Sequence, residues 1–278
     1  TKGVSSSELR SEKRKLRMTV EGDDFLGTKF RNESRFVNGV EIASADADAY
    51  YLVTTPDKHY EQIKKFLLDG KHVLCVLMEG IKTAYSTAYS RLLLLAKSGE
   101  IGKIVSVDAT CTSMRDDLDS LENKWNSISA WGPTALLPIF QLLGTNYTDK
   151  KIISHYIDDD KMFDGFTKID FIYPDSVASI KVAKTAKSEG ELIITGTKGY
   201  IYVPAPWWKT DYFEIRYEDP TENKRYFYKL DGEGIRYEIV AFNRSIESGK
   251  NYSYIDSKIS IAISEIIEAC KSNNVIEI

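Results

Sequence analysis

At 278 residues the chain is long enough to hold two domains with separate cores, and 42% hydrophobic with 28% charged residues is ordinary globular composition. A formal net charge of -4 leaves no basic footprint for nucleic acid, no apolar run approaches the ~20 residues of a membrane span, and the polar start 1–17 is no signal peptide, so the reading is a cytoplasmic protein. Scattered cysteines at 75, 111 and 270 argue against a disulfide framework, and His59, His72 and His155 share no metal-ligand spacing.

Residues 1–17 read as a solvated tail or linker in which Ser7 caps a helical turn. The run GVSSSELR (3–10) also resembles the serine-rich signature near the end of nucleotidyltransferase domains of the glycerol-phosphate cytidylyltransferase type, which implies the stub of an upstream transferase. Leu16 to Val20 is a first strand. It leads into Gly22-Asp23-Asp24-Phe25-Leu26-Gly27, which has the register of a dinucleotide fingerprint with Asp24 where the middle glycine belongs. Gly22 and Gly27 are therefore candidate cofactor residues, and a loop without nucleotide role is the alternative. Phe30, Phe36 and Val37 continue a helix, and Val40 to Ile42 is a second strand.

Ala49 to Thr55 is a nearly continuous apolar run closed by Pro56, the pattern of a buried strand. Tyr60, Ile63, Phe66 and Leu67 repeat at helical spacing, which predicts the face that packs on a sheet, and Gly70 ends the helix. His72 to Cys75 is the next strand. Strand, helix and strand in succession make a parallel unit of a doubly wound sheet, whose ligands sit at the strand carboxyl ends. That rule selects Thr54, Thr55, Pro56 and the residues after Cys75; Thr55, Pro56 and His59 are candidate cofactor residues, with a plain helix-start role as the alternative for His59. Two junctions look too short, because parallel neighbours need a crossover of a dozen or more residues. Only 43–48 separates the second strand from Ala49, and HVLC abuts VLMEG at Cys75-Val76. The reading is a missing stretch of roughly 20 to 30 residues at each, with a true deletion as the alternative.

The runs TTPDKHYEQ (54–62) and GKHVLC (70–75), followed in order by VLMEG (76–80), SGEIGKI (98–104), GPTALLPIFQLLG (132–144), GTKGYIYVP (196–204) and GIRYEIVAF (234–242), resemble the nicotinamide-dependent oxidoreductases typified by glucose-fructose oxidoreductase and inositol 2-dehydrogenase. The resemblance spans Met18 to about Lys271. It implies NAD or NADP as cofactor, a sugar or polyol, or a phosphate or nucleotide derivative of one, as substrate, and a homodimer or higher homo-oligomer. The Glu-Lys-Pro motif that follows HVLC in that family, with its catalytic lysine, is absent from this sequence.

Beyond Ile81 the pattern changes. Ala88, Leu92, Leu95 and Ala96 form a helical stripe ended by Gly99, and Ile101 to Thr112 alternates like a strand. Further strand-like runs occupy 151–156, 167–173, 176–184, 190–196, 200–203, 212–217 and 225–229. Two helices follow, marked by Ile239, Phe242 and Ile246, and by Ile259, Ile263, Ile266 and Cys270. The fold class is α/β: a Rossmann-like doubly wound parallel sheet, incomplete here, and an α+β domain with a large open, mostly antiparallel sheet. The division is 1–17 linker or stub, 18–80 dinucleotide-binding, and 81–278 substrate-binding and oligomerisation. Ile152, Ile153, Phe171 and Ile193 suggest apolar residues on both sheet faces, one of them facing a second subunit.

The resemblance implies an Asp-x-Gly-x-His pattern where this chain has Ala130-Trp131-Gly132-Pro133-Thr134. Thr134 can hold a hydroxyl but cannot replace a histidine base unaided. Trp131 and Thr134 are candidate substrate residues, with structural roles as the alternative. Lys82, just past the VLMEG strand, is a candidate for phosphate binding or proton transfer, and Glu79 for substrate binding; a solvated lysine and a helix cap are the plainer readings. Trp207 and Trp208 fit either sugar stacking or a subunit contact. The main alternatives to a dehydrogenase are a non-catalytic binding or assembly member and the reductase half of a bifunctional transferase.

Overall fold

In the computed structural model, which describes residues 14–22, 24–75, 81–114, 125–271 and 274–278, the chain begins with β1 (Leu16–Gly22), α1 (Asp24–Ser34), β2 (Val40–Ile42), β3 (Ala49–Val53), α2 (Pro56–Leu68) and β4 (His72–Cys75). These strands form a parallel four-stranded sheet in the order β2-β1-β3-β4. Alternate side chains of β3 feed two cores, as a strand buried on both faces requires. Tyr51 stacks on Phe30 of α1 with ring centroids 3.8 Å apart, and Tyr50 stacks on Phe66 of α2 at 3.7 Å. Burying aromatics of this size contributes about 1.5–3 kcal/mol each.

The face of α2 on the sheet is turned from the one expected. His59 and Phe66 are buried, with Ile63 packed beside them, whereas Tyr60 and Leu67 are exposed. Among the described residues β4 is the edge strand on that side, and Tyr60 and Leu67 are exposed there. Phe36 likewise lies beyond the end of α1 and is exposed.

The segment 43–48 alone joins β2 to β3. β2 pairs only with Leu16, Arg17 and Met18, and β3 starts its pairing at Met18 and runs to Gly22. The two strands flank β1 in successive halves, so the connection crosses β1 at one level without climbing back along the sheet. Hydrogen bonds pin the crossing. Ala43 N–H donates to the Met18 carbonyl at 2.8 Å, Asp48 N–H to the Arg17 carbonyl at 2.8 Å, and the Arg17 guanidinium to the carbonyls of Ala45 and Asp46 at 3.0 and 3.1 Å. The Cys75-Val76 junction involves residues 76–80, outside the described residues, as does the serine-rich stretch 3–10.

A 3₁₀ turn at Lys82–Tyr85 leads into α3 (Thr87–Lys97), β5 (Ile104–Thr112) and α4 (Ser127–Leu143). There follow β6 (Asp149–Tyr156), β7 (Asp164–Ile172), β8 (Val177–Ala183), β9 (Leu192–Gly196), β10 (Gly199–Val203), β11 (Tyr212–Tyr217) and β12 (Lys224–Phe227). A second 3₁₀ turn at Asp231–Gly234 precedes α5 (Ile235–Ser248), α6 (Ser257–Ala269) and β13 (Val275–Glu277). The second sheet has nine strands in the order β12-β11-β10-β9-β5-β8-β7-β6-β13 and is mostly antiparallel, with parallel pairing of β5 to β8 and of β13 to β6. The fold is thus α/β, with a Rossmann-like parallel sheet and a large mixed sheet.

α4 lies across the second sheet and buries most of its length, although Pro133 and Pro138 stand inside it. α6 packs beside α4, so Ile152 and Phe171 face this helix-covered core together with Ile263 and Ile266. α5 packs elsewhere. Its Ile235 and Ile239 join Met18, Val20, Tyr51 and Val53 on the first sheet, so a helix from late in the chain covers that sheet beside α1.

Candidate active site

The order of the parallel sheet changes direction between β1 and β3, and ligand crevices of wound sheets open outside the strand ends at that point. Gly22 ends β1 with φ +115°, and a Cβ there would lie 2.5 Å from the Thr54 amide nitrogen, so only glycine lets the two strand ends meet. Gly27 faces β1 from α1, where a Cβ would come within 2.9 Å of Val20. Tight turn and close helix packing are two of the three glycine roles in a dinucleotide fingerprint. Thr55 precedes α2 without capping it, its hydroxyl meeting the Asp57 carboxylate instead, and Pro56 takes the first helical position.

His59 is committed to the protein. Nε2 lies 2.7 Å from the Thr54 carbonyl and Nδ1 lies 3.3 Å from Cys75 Sγ. The neutral ring therefore donates from Nε2, and burial pushes its pKa below the usual histidine range against the pull of the Thr54 carbonyl. The edge of the same ring meets Trp125, centroids 5.9 Å apart, which brings the entrance of α4 over the first sheet's strand ends. Asp164 fixes that entrance: its carboxylate accepts from Ile128 N–H at 3.1 Å and from Thr167 Oγ1 at 2.7 Å. Burial pushes Asp164 up to about 6.

One helical turn into α4, Trp131 packs on Trp208 with ring centroids 4.9 Å apart. The Trp208 carbonyl accepts from Thr83 Oγ1 at 2.8 Å, which ties this aromatic wall to the turn carrying Lys82. Thr134 lies three residues beyond Trp131, on the same side of the helix, and is half-buried. Trp207 turns the other way. It is fully buried and donates Nε1–H to the Thr110 carbonyl at 3.0 Å, so it is a core residue rather than a sugar platform or subunit contact.

Lys82 is half-buried and ion-paired. Its ammonium donates to Glu233 Oε2 at 2.8 Å, and Lys29 and Lys209 reach the same carboxylate at 3.1 and 2.6 Å. Burial pushes the Lys82 pKa below the usual lysine range, and Glu233 partly restores it. Burial also opposes charge on Glu233, but bonds from Lys209 and Lys82 hold its carboxyl well below the usual range. Nearby Glu238 is fully enclosed, its Oε1 has no hydrogen-bond partner among the described residues, and burial pushes it up to about 8 against the attraction of Lys82.

Lys82, Trp131 and Thr134 thus lie on connected elements, while Gly22, Gly27, Thr55, Pro56 and His59 lie at the first sheet's strand ends, joined to them through Trp125. Glu79 is outside the described residues. The sequence reading missed Trp125, Lys29, Lys209 and Glu233. The signal for Glu233 was its place between two glycines in Gly232-Glu233-Gly234. A groove of about 400 Å³ between α2, β4 and α5 is lined by none of the strand-end residues. Among the described residues no group of acidic, cysteine or histidine side chains could hold a metal ion, and no helix is long and apolar enough to cross a membrane.

No family model matches the sequence, and no curated protein matches it. Solved structures do resemble it. The 3-ketoreductase KijD10 from Actinomadura kijaniata, in complex with TDP-benzene and NADP in an open conformation, superposes with a TM-score of 0.80 at 15% identity, covering 95% of this chain and 99% of that one. The aldose-aldose oxidoreductase from Caulobacter crescentus, complexed with glycerol, gives 0.77 at 13% identity over 92% and 96% of the two chains. An oxidoreductase from Agrobacterium radiobacter, in complex with NAD+, L-tartaric acid and magnesium, gives 0.69 at 13% identity over 93% and 97%. Across nearly its whole length, this chain shares the two-sheet α/β fold of these oxidoreductases.

Proposed function

We propose that the chain is an NAD(P)-dependent oxidoreductase acting on a sugar, a polyol, or a phosphate or nucleotide derivative of one. The observation that carries this reading is the pair Gly22 and Gly27, each at a spot where a Cβ would collide, at the switch point of a sheet whose solved likenesses include NADP and NAD+ complexes. Gly22, Gly27, Thr55 and Pro56 would line the dinucleotide, with His59 bracing the wall behind it. The nicotinamide, when bound, gives or takes the hydride. Trp131 and Trp208 offer an aromatic wall for a sugar ring, and Thr134 a hydroxyl for its oxygens. Lys82 would hold the substrate oxygen and move its proton, a task to which a half-buried ammonium with a lowered pKa is suited.

NADPH or NADH added to the purified chain should quench tryptophan fluorescence saturably in the micromolar range, because Trp125 stands at the crevice. No saturable change with either dinucleotide up to millimolar concentration would leave the non-catalytic reading. Ala130 and Thr134, in place of an acid and a histidine, favour that second reading. The reductase half of a bifunctional transferase rests only on residues 3–10.

We also propose a two-fold dimer through the face of the second sheet that α4 and α6 leave uncovered. Cross-strand register puts Asp108, Ser179, Ile193, Tyr202, Glu214 and Arg225 in one row of that face, with Ile153 on it as well. Phe227 is 74% exposed there, paired with Tyr212. Sedimentation should give about twice the chain mass at micromolar concentration, and Phe227→Asp should shift it to the monomer. A wild-type monomer would refute this assembly.

A further inference from the structure

Lys29, Lys82 and Lys209 come from α1, from the 3₁₀ turn Lys82–Tyr85, and from the segment after β10. Their ammonium groups meet on one carboxylate. Glu233 Oε2 accepts from Lys82 at 2.8 Å and from Lys29 at 3.1 Å, and Oε1 accepts from Lys209 at 2.6 Å. One carboxylate balances one of three positive charges, so a surplus of two remains at a half-buried place. Like charges gathered from distant segments repel, and the arrangement makes sense when an anion of higher charge belongs there.

The present occupant sits in an unusual way. Glu233 has φ 54°, in the left-handed region, between Gly232 at 58° and Gly234 at 89°. A side chain disfavours that region, so the three ion pairs hold Glu233 in a conformation that its backbone does not choose. The glycines on either side suit the left-handed region and can also leave it freely, which makes the turn a pivot. The neighbourhood suits a nucleotide ligand. Lys209 follows Trp208 of the aromatic wall, and Lys29 belongs to the helix that starts at the end of β1.

We propose that Glu233 is a built-in stand-in for a diphosphate: Lys29, Lys82 and Lys209 form the binding site for the diphosphate group of a nucleotide ligand, and the Gly-Glu-Gly turn carries the carboxylate out when that ligand arrives. A diphosphate diester brings two negative charges in place of one and presents oxygens to all three ammonium groups. Both a dinucleotide cofactor and a nucleotide-activated sugar carry this group. The inference concerns anion binding and does not depend on hydride transfer.

The test is calorimetric titration of inorganic pyrophosphate into the full chain at low salt. Glu233→Gln should bind at least tenfold more tightly than the wild type, and pyrophosphate should raise its melting temperature more. Adding Lys29→Ala or Lys209→Ala to that variant should remove the gain. Glu233→Gly, which suits a left-handed backbone, gives the same comparison if the glutamine variant does not fold. Equal affinity in wild type and variant, or a gain that survives both lysine substitutions, would overturn the proposal. Competition then identifies the source. NADPH and uridine diphosphate glucose are titrated against pyrophosphate in the Glu233→Gln chain; displacement by either supports the site and names its ligand, and displacement by neither overturns the assignment to a nucleotide. A chain that binds pyrophosphate this way yet oxidises and reduces nothing would refute the redox reading alone.

Discussion

Lys82→Ala should lower kcat/KM for the sugar or polyol substrate by about 10²-fold or more, the usual contribution of a positioned acid or base. The reason is position. Lys82 stands on the turn bonded to the Trp208 carbonyl through Thr83, and Trp208 packs on Trp131, so the ammonium and the aromatic wall move as a unit. Thr134→Val should act more mildly, raising KM by roughly tenfold with kcat nearly kept, as loss of one hydrogen bond to a hydroxyl would do. Steady-state kinetics at fixed saturating NADPH separate the two. Unchanged turnover in both variants would remove Lys82 and Thr134 from the site.

Glu238→Gln should abolish a stability loss that the wild type shows as pH rises from about 4.5 to about 8. An unfolded glutamate titrates near 4.5 and the buried one near 8, so the folded state holds the proton more tightly. Stability from that proton is complete below the unfolded value and drains away until pH passes the folded one. The loss is on the order of 3–5 kcal/mol at the alkaline end. Glutamine keeps the shape and cannot ionise, so urea midpoints should cross: wild type equal or better at pH 4.5, variant better by about 2–3 kcal/mol at pH 9 after the cost of an unpaired amide. Asp164, raised to about 6, contributes a loss of the same sign over a lower window. Only the difference between wild type and variant isolates Glu238. Parallel curves across the range would mean that Glu238 is charged in the folded protein.

The β3-α2-β4 unit was readable because an apolar run, a helical stripe and Gly70 agree, and the second sheet because its strands alternate. Other features depend on partners that local pattern does not contain. Tyr60 and Leu67 look like an inward stripe, but it is His59, Ile63 and Phe66 that meet the sheet. The 43–48 connection looks impossible until one knows that β2 and β3 use different halves of β1. Pro133 and Pro138 hid α4, whose burial on the second sheet and against α6 compensates for the interrupted hydrogen bonds. Lys82 and Trp131 could be picked out because each follows a recognisable landmark. The convergence of residues 29, 82, 209 and 233 joins four segments far apart in sequence, and no local spacing announces it.

The position of α5 bears on how the protein is made. Ile235 and Ile239 belong to the core of a sheet whose described strands are all synthesised by Cys75. At about 5–20 residues per second, the ribosome needs roughly 10–35 s to add the chain from there to the end of α5. Throughout that interval Met18, Val20, Tyr51 and Val53 lack the cover that α5 provides, and the nascent first sheet presents an unfinished apolar face. A stalled or truncated product ending before α5 should therefore be a client for chaperones and a substrate for proteases, even though β1 to β4 are present.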